Sequence, residues 1–142
     1  MDKKYITNNT RETQKLGEEF AKEVLKNMPE KGAVVFGLQG NLGGGKTTFL
    51  QGFAKGLGIK EKILSPTFVI QKRFGKFYHI DCYRLNKPED ILELGWKEII
   101  EDAENIVAIE WPEKIKKFLP KKTIMVEFAY LEKNKRLINF KV

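Results

Sequence analysis

The chain has 142 residues, 42% of them hydrophobic and 11% aromatic, and a chain of that size buries about 68% of the surface its unfolded form exposes. That is enough for one core and a single domain, too apolar for a disordered chain, and too short for two enzyme-sized domains. Lys and Arg outnumber Asp and Glu by 26 to 19, a net charge of +7, and the excess is late in the chain, with nine Lys/Arg against three Glu from Glu113 to Val142. Such a tail suits nucleic acid or an acidic partner, and equally suits a solvated lysine face.

Apolar runs such as Ala33–Leu38 and Ile106–Ile109 fall far short of the ~20 residues of a membrane-spanning helix. The start, Met1-Asp2-Lys3-Lys4-Tyr5, lacks the apolar stretch of a secretory signal, and a single cysteine, Cys82, cannot form an internal disulfide. A soluble protein of the reducing cytoplasm is the expectation.

Leu16, Phe20, Ala21, Val24 and Leu25 share one stripe at helical spacing, which predicts a helix from Thr10 to Asn27. Ala33–Leu38 reads as a strand covered on both faces and runs straight into a glycine-rich loop. Phe49, Leu50, Phe53, Ala54 and Leu57 predict the next helix, with Gly58 as its stop. Thr67–Arg73 and Lys76–Asp81 are expected to form a hairpin about Phe74-Gly75. Short helices are expected over Pro88–Leu94 and Trp96–Asp102, then a buried strand Ile106–Ile109 ending at Glu110, and a basic helix Pro112–Phe118. Thr123–Tyr130 and Arg136–Val142 alternate as strands around Glu132-Lys133-Asn134-Lys135.

Gly40-Asn41-Leu42-Gly43-Gly44-Gly45-Lys46-Thr47 matches the phosphate-loop pattern in full, between a predicted buried strand and an amphipathic helix. Glycines let successive N–H groups turn inward onto phosphate oxygens, and the helix adds its positive end. Lys46 is then placed on the β- and γ-phosphates, the Thr47 hydroxyl on Mg²⁺, and Thr48 on the α-phosphate. A nucleoside triphosphatase also needs carboxylates at a neighbouring strand end, and Glu110 and Asp81 are the candidates. Either acid also reads as an ordinary surface group, and an exposed Glu110 would be truncated at little cost in stability. Ser65-Pro66-Thr67 reads as a switch segment bringing a hydroxyl to the γ-phosphate, or as a plain turn. His79 has only Cys82 near it in sequence, which argues against zinc.

Asn86-Lys87-Pro88-Glu89 falls one residue short of a guanine-reading Asn-Lys-x-Asp, and Pro88-Glu89-Asp90 reads better as a helix start, so adenine is the default base. There is no Leu-Ser-Gly-Gly-Gln stretch of a transporter ATPase and little chain for a kinase lid. A compact ATPase acting on a partner is the reading from the residues. The alternatives are a stand-alone small-molecule kinase and a basic RNA-binding module with a vestigial nucleotide site.

The ordered set Gly40–Thr48, Ser65-Pro66-Thr67-Phe68, His79-Ile80-Asp81-Cys82-Tyr83-Arg84-Leu85 and Glu110-Trp111-Pro112 resembles the bacterial tRNA threonylcarbamoyladenosine biosynthesis ATPase family (TsaE/YjeE) over essentially the whole chain. The resemblance implies an α/β, P-loop NTPase-like three-layer sandwich with a mixed, largely parallel central sheet plus antiparallel strands. It implies ATP and Mg²⁺ as cofactors and the transferase heterodimer of the pathway (TsaD and TsaB subunits) as partner, with tRNA met indirectly. It further implies Thr47 and Glu110 as metal ligands, Asp81 as a second acid near the γ-phosphate, and Thr67 as a switch residue. Trp111 would be a flap or partner contact, and Thr10 and Arg136 nucleotide contacts. The family usually has Asp at Asn41 and Ala at Gly44, departures that touch affinity or turnover and not the fold.

Overall fold

The computed structural model describes residues 2–40, 45–63 and 70–141. In chain order the elements are β1 (Lys3–Thr7), α1 (Thr10–Lys26), β2 (Val34–Gly40), α2 (Lys46–Gly56), β3 (Gln71–Phe74), β4 (Phe77–Asp81), a 3-10 helix Pro88–Leu94, α3 (Trp96–Glu101), β5 (Ile106–Glu110), a second 3-10 helix Pro112–Phe118, β6 (Ile124–Glu132) and β7 (Lys135–Lys141). They gather into two compact units, one of Met1–Asn27, Gln39–Ser65 and Val126–Lys141, the other of Met28–Leu38 and Pro66–Met125.

In the first unit α1 is started by Asn9, whose side chain accepts from the Glu12 amide at 2.8 Å and so satisfies one N–H that helix geometry leaves unpaired. The Glu12 carboxylate in turn accepts from the amide of Asn8, the residue before the cap, at 2.8 Å. Ala21 and Val24 of the predicted stripe are buried, whereas Leu25 lies off it, exposed. α1 packs on α2 through glycines: a Cβ on Gly17 would lie 2.2 Å from the Phe49 carbonyl oxygen, and one on Gly52 would lie 1.9 Å from that of Gln14. Behind this contact Phe20, Phe49, Phe53, Phe128 and Phe140 form a ring cluster with centroids 5.0 to 6.0 Å apart.

The strand order in this unit is β1-β7-β6, with β1 antiparallel to β7 from Lys3↔Phe140 to Thr7↔Arg136. β1 was not read from the sequence. Only Thr7 of its five residues is buried, so no alternation marks it, and its strand character comes from pairing with a segment at the far end of the chain. The expected hairpin β6–β7 is present with a tighter turn, because Asn134 takes a left-handed φ of 64° and lets both strands run on toward a two-residue connection.

The second unit has the order β2-β5-β4-β3, parallel across β2, β5 and β4, with β3 antiparallel to β4. Val35, Tyr78, Ile80, Val107 and Ile109 point to one face and pack with Ile91, Trp96, Ile99 and Ile115. Burial on both faces gives β5 its uninterrupted apolar run. The hairpin turns at Gly75, φ 62°, as expected. β3 begins at Gln71, the earlier part of the expected strand, Thr67–Val69, lying outside the described residues. The Pro88 and Pro112 segments are 3-10 rather than α-helical, and Ile115 breaks the second with φ −124°.

Candidate functional site

The first unit carries the start of α2. β2 ends at Gly40, φ 148°, where a Cβ would come within 2.6 Å of the Phe128 carbonyl oxygen, so only glycine lets the chain pass. Gly45 caps α2 in the left-handed region, φ 92°, without a side-chain cap. The positive end of the helix lies at this glycine. Lys46 opens the helix and is buried, with Thr47 and Thr48 half-buried behind it. Asn41, Leu42, Gly43, Gly44 and Thr67 lie outside the described residues.

Arg136 stands beside Gly45, its Cγ 3.8 Å from where a Cβ would be, and its guanidinium lies 4.8 Å from the Tyr130 ring centroid. The threonine brought to this place is Thr13, whose methyl is 3.6 Å from the same point and whose hydroxyl shares a 2.7 Å hydrogen bond with that of Thr7. Thr10 is the exposed first residue of α1. The sequence held one clue to Thr13: a polar residue on the apolar stripe, three positions before Leu16.

The second unit carries the two strand-end acids. Asp81 and Glu110 are register partners at the carboxyl ends of β4 and β5, and Leu38 of β2, two residues before Gly40, pairs with Glu110 on the other side. Open α/β sheets bind ligands at such carboxyl ends. Asp81 accepts from the Tyr83 amide at 2.9 Å, and the Glu110 carbonyl accepts from the Cys82 amide at 3.0 Å. The expectation of an exposed Glu110 is overturned: it is 5% exposed, and its Oε2 is 2.7 Å from Nε2 of His79, itself 2% exposed. Strand register buries it, and truncating it would leave a buried imidazole nitrogen unpaired, which costs about 1–3 kcal/mol.

Trp111 follows with a left-handed backbone, φ 59°, a strained state for a bulky residue before proline. Its ring meets Tyr83 edge to face at 5.0 Å and also packs on the apolar core of this unit. Among the described residues no three His, Cys, Asp or Glu form a group able to hold a metal alone. Two carboxylates fit Mg²⁺, which takes one or two protein oxygens and completes its shell with water and phosphate.

Burial pushes the Cys82 thiol up to about 12, with the Asp81 and Glu113 carboxylates adding to the rise. The ordinary value is 9.0, so the stability this group supports is intact below that pH and is lost as the pH climbs toward the native value. At pH 8 the folded chain is therefore expected to resist iodoacetamide, while the chain in urea is labelled; rapid alkylation of the folded protein would contradict this burial.

Among the described residues no helix is long and apolar enough to cross a membrane. A family model described as threonylcarbamoyl adenosine biosynthesis protein TsaE matches residues 7–138. The tRNA threonylcarbamoyladenosine biosynthesis protein TsaE of Haemophilus influenzae is 36% identical over 122 residues, covering 83% of this chain and 76% of that protein. Its namesake from Rickettsia felis is 39% identical over 137 residues, covering 93% and 75%. The crystal structure of Bacillus subtilis YdiB matches with a TM-score of 0.75 at 30% identity, over 99% of this chain and 84% of that one. The α/β, P-loop NTPase-like fold expected from the sequence is thereby shown.

Proposed function

The chain belongs to the TsaE family of threonylcarbamoyl adenosine biosynthesis proteins, and from that membership we propose that it is the Mg²⁺-dependent ATPase subunit of tRNA threonylcarbamoyladenosine formation. It hydrolyses ATP in the cytoplasm to reset or sustain a partner transferase, the TsaD–TsaB heterodimer, and meets tRNA through that partner. The observation that carries the reading is the start of α2: a left-handed glycine cap at the positive end of the helix, followed at once by Lys46 and Thr47.

In this reading the α2 amides and the Lys46 ammonium bind the phosphate chain and oppose the charge that grows on its oxygens as the terminal P–O bond breaks. Mg²⁺ would supply neutralising charge to the phosphate chain, and the oxygens that would hold it are the Asp81 and Glu110 carboxylates and the Thr47 hydroxyl. Arg136 and Thr13 lie beside Gly45, from β7 and α1, the former as a nucleotide contact. Trp111, held in its strained turn beside Glu110, is the flap or partner contact.

Reconstituted modification tests the proposal. Several products per transferase are expected only when this protein and ATP are both present, together with phosphate release that accelerates on adding the heterodimer. Equal yields without the protein, or phosphate passed to a small acceptor instead of water, would overturn it.

A further inference from the structure

Glu110 is held by the one histidine of the chain, and the way β4 lies along β5 explains how. In the parallel register His79 is opposite Ala108 and Asp81 is opposite Glu110, so all four belong to the same face of the two strands. The residue directly across from His79 is only a methyl group. The imidazole therefore has room to lean along β5 to the next residue on that face, where Nε2 and Glu110 Oε2 meet at 2.7 Å. Both side chains are buried, away from water that would compete for the bond. An ionised carboxylate can only accept, and with Glu110 in that form it is the Nε2–H of the ring that donates.

With Oε2 held, the carboxylate cannot turn about its terminal bond, and Oε1 is presented in one orientation. We propose that His79 is a positioning residue for Glu110, fixing that carboxylate for divalent-metal binding; this rests on the proposed function, in which Glu110 is a metal ligand. Hydrogen-bond partners of ligating carboxylates set metal affinity by about 10- to 100-fold in other sites. A histidine serving packing alone would carry no such coupling.

The test uses Mn²⁺ as the probe, bound with a non-hydrolysable ATP analogue and followed by its paramagnetic resonance. His79→Leu is expected to weaken Mn²⁺ by about 10-fold or more, with the metal-free analogue bound as in the wild type, and His79→Gln, which keeps an N–H donor, is expected to recover part of the loss. In a Glu110→Gln background the same His79 changes should add almost nothing, because the group they position is already gone. If His79→Leu does not fold, His79→Gln and the double variant decide. Wild-type Mn²⁺ affinity in a folded His79 variant, or full additivity with Glu110→Gln, overturns the inference while the proposed function stands. A wild-type protein that takes up no Mn²⁺–nucleotide overturns both.

Discussion

Gly52→Ala is expected to lower the stability of the chain by about 3 kcal/mol or more, although alanine is the better helix former by about 1 kcal/mol. The two effects oppose each other, and the distances decide between them. The new methyl carbon would sit 1.9 Å from the Gln14 carbonyl oxygen and 2.9 Å from its Cα. Both are backbone atoms, which no rotamer change can move, so α1 and α2 must separate and loosen the phenylalanine cluster behind them. Against a total stability of about 5–15 kcal/mol for a typical domain, that is a large fraction. Urea titration measures it, and a midpoint equal to or above that of the wild type would show that the helices are not in this close contact. The same expectation holds for Gly17→Ala, facing Phe49 from the other helix.

The second large effect is on chemistry. Lys46→Ala is expected to reduce phosphate release by about 100-fold or more, the usual loss when a group opposing transition-state charge is removed. Lys46 is buried, so a melting curve taken on the same variant separates lost chemistry from lost folding. RNA offers a further discrimination: if the basic C-terminal segment binds it through the phosphate backbone, that affinity is salt-sensitive and survives the substitution. Wild-type phosphate release from the Lys46 variant would remove the lysine from the nucleotide site.

Particular residues show why some of this was readable in advance. The phosphate-loop pattern, the buried runs of β2 and β5, the apolar stripe of α1 and the glycine turn of β3–β4 are all written within a few neighbouring positions, whereas the cap of α1 is Asn9 and not a hydroxyl of the Thr10–Thr13 start. Hydrophobic period and turn chemistry act at that range. The candidate site divides along the same line. Gly45, Lys46 and Glu110 were identified by local pattern, while Thr13 beside Gly45 and the tie from His79 to Glu110 were not, since 31 residues separate the latter pair.

The sequence by itself determined the order of elements from α1 onward, the phosphate-loop pattern and the two strand-end acids, because each follows from backbone freedom and apolar spacing among adjacent residues. Only the tertiary structure decided that β1 is a strand, that α1 and α2 meet backbone to backbone at Gly17 and Gly52, and that Glu110 is buried against an imidazole. Those depend on register and helix approach, which bring together groups distant in the chain, and the free energy of such contacts has no counterpart in any local pattern.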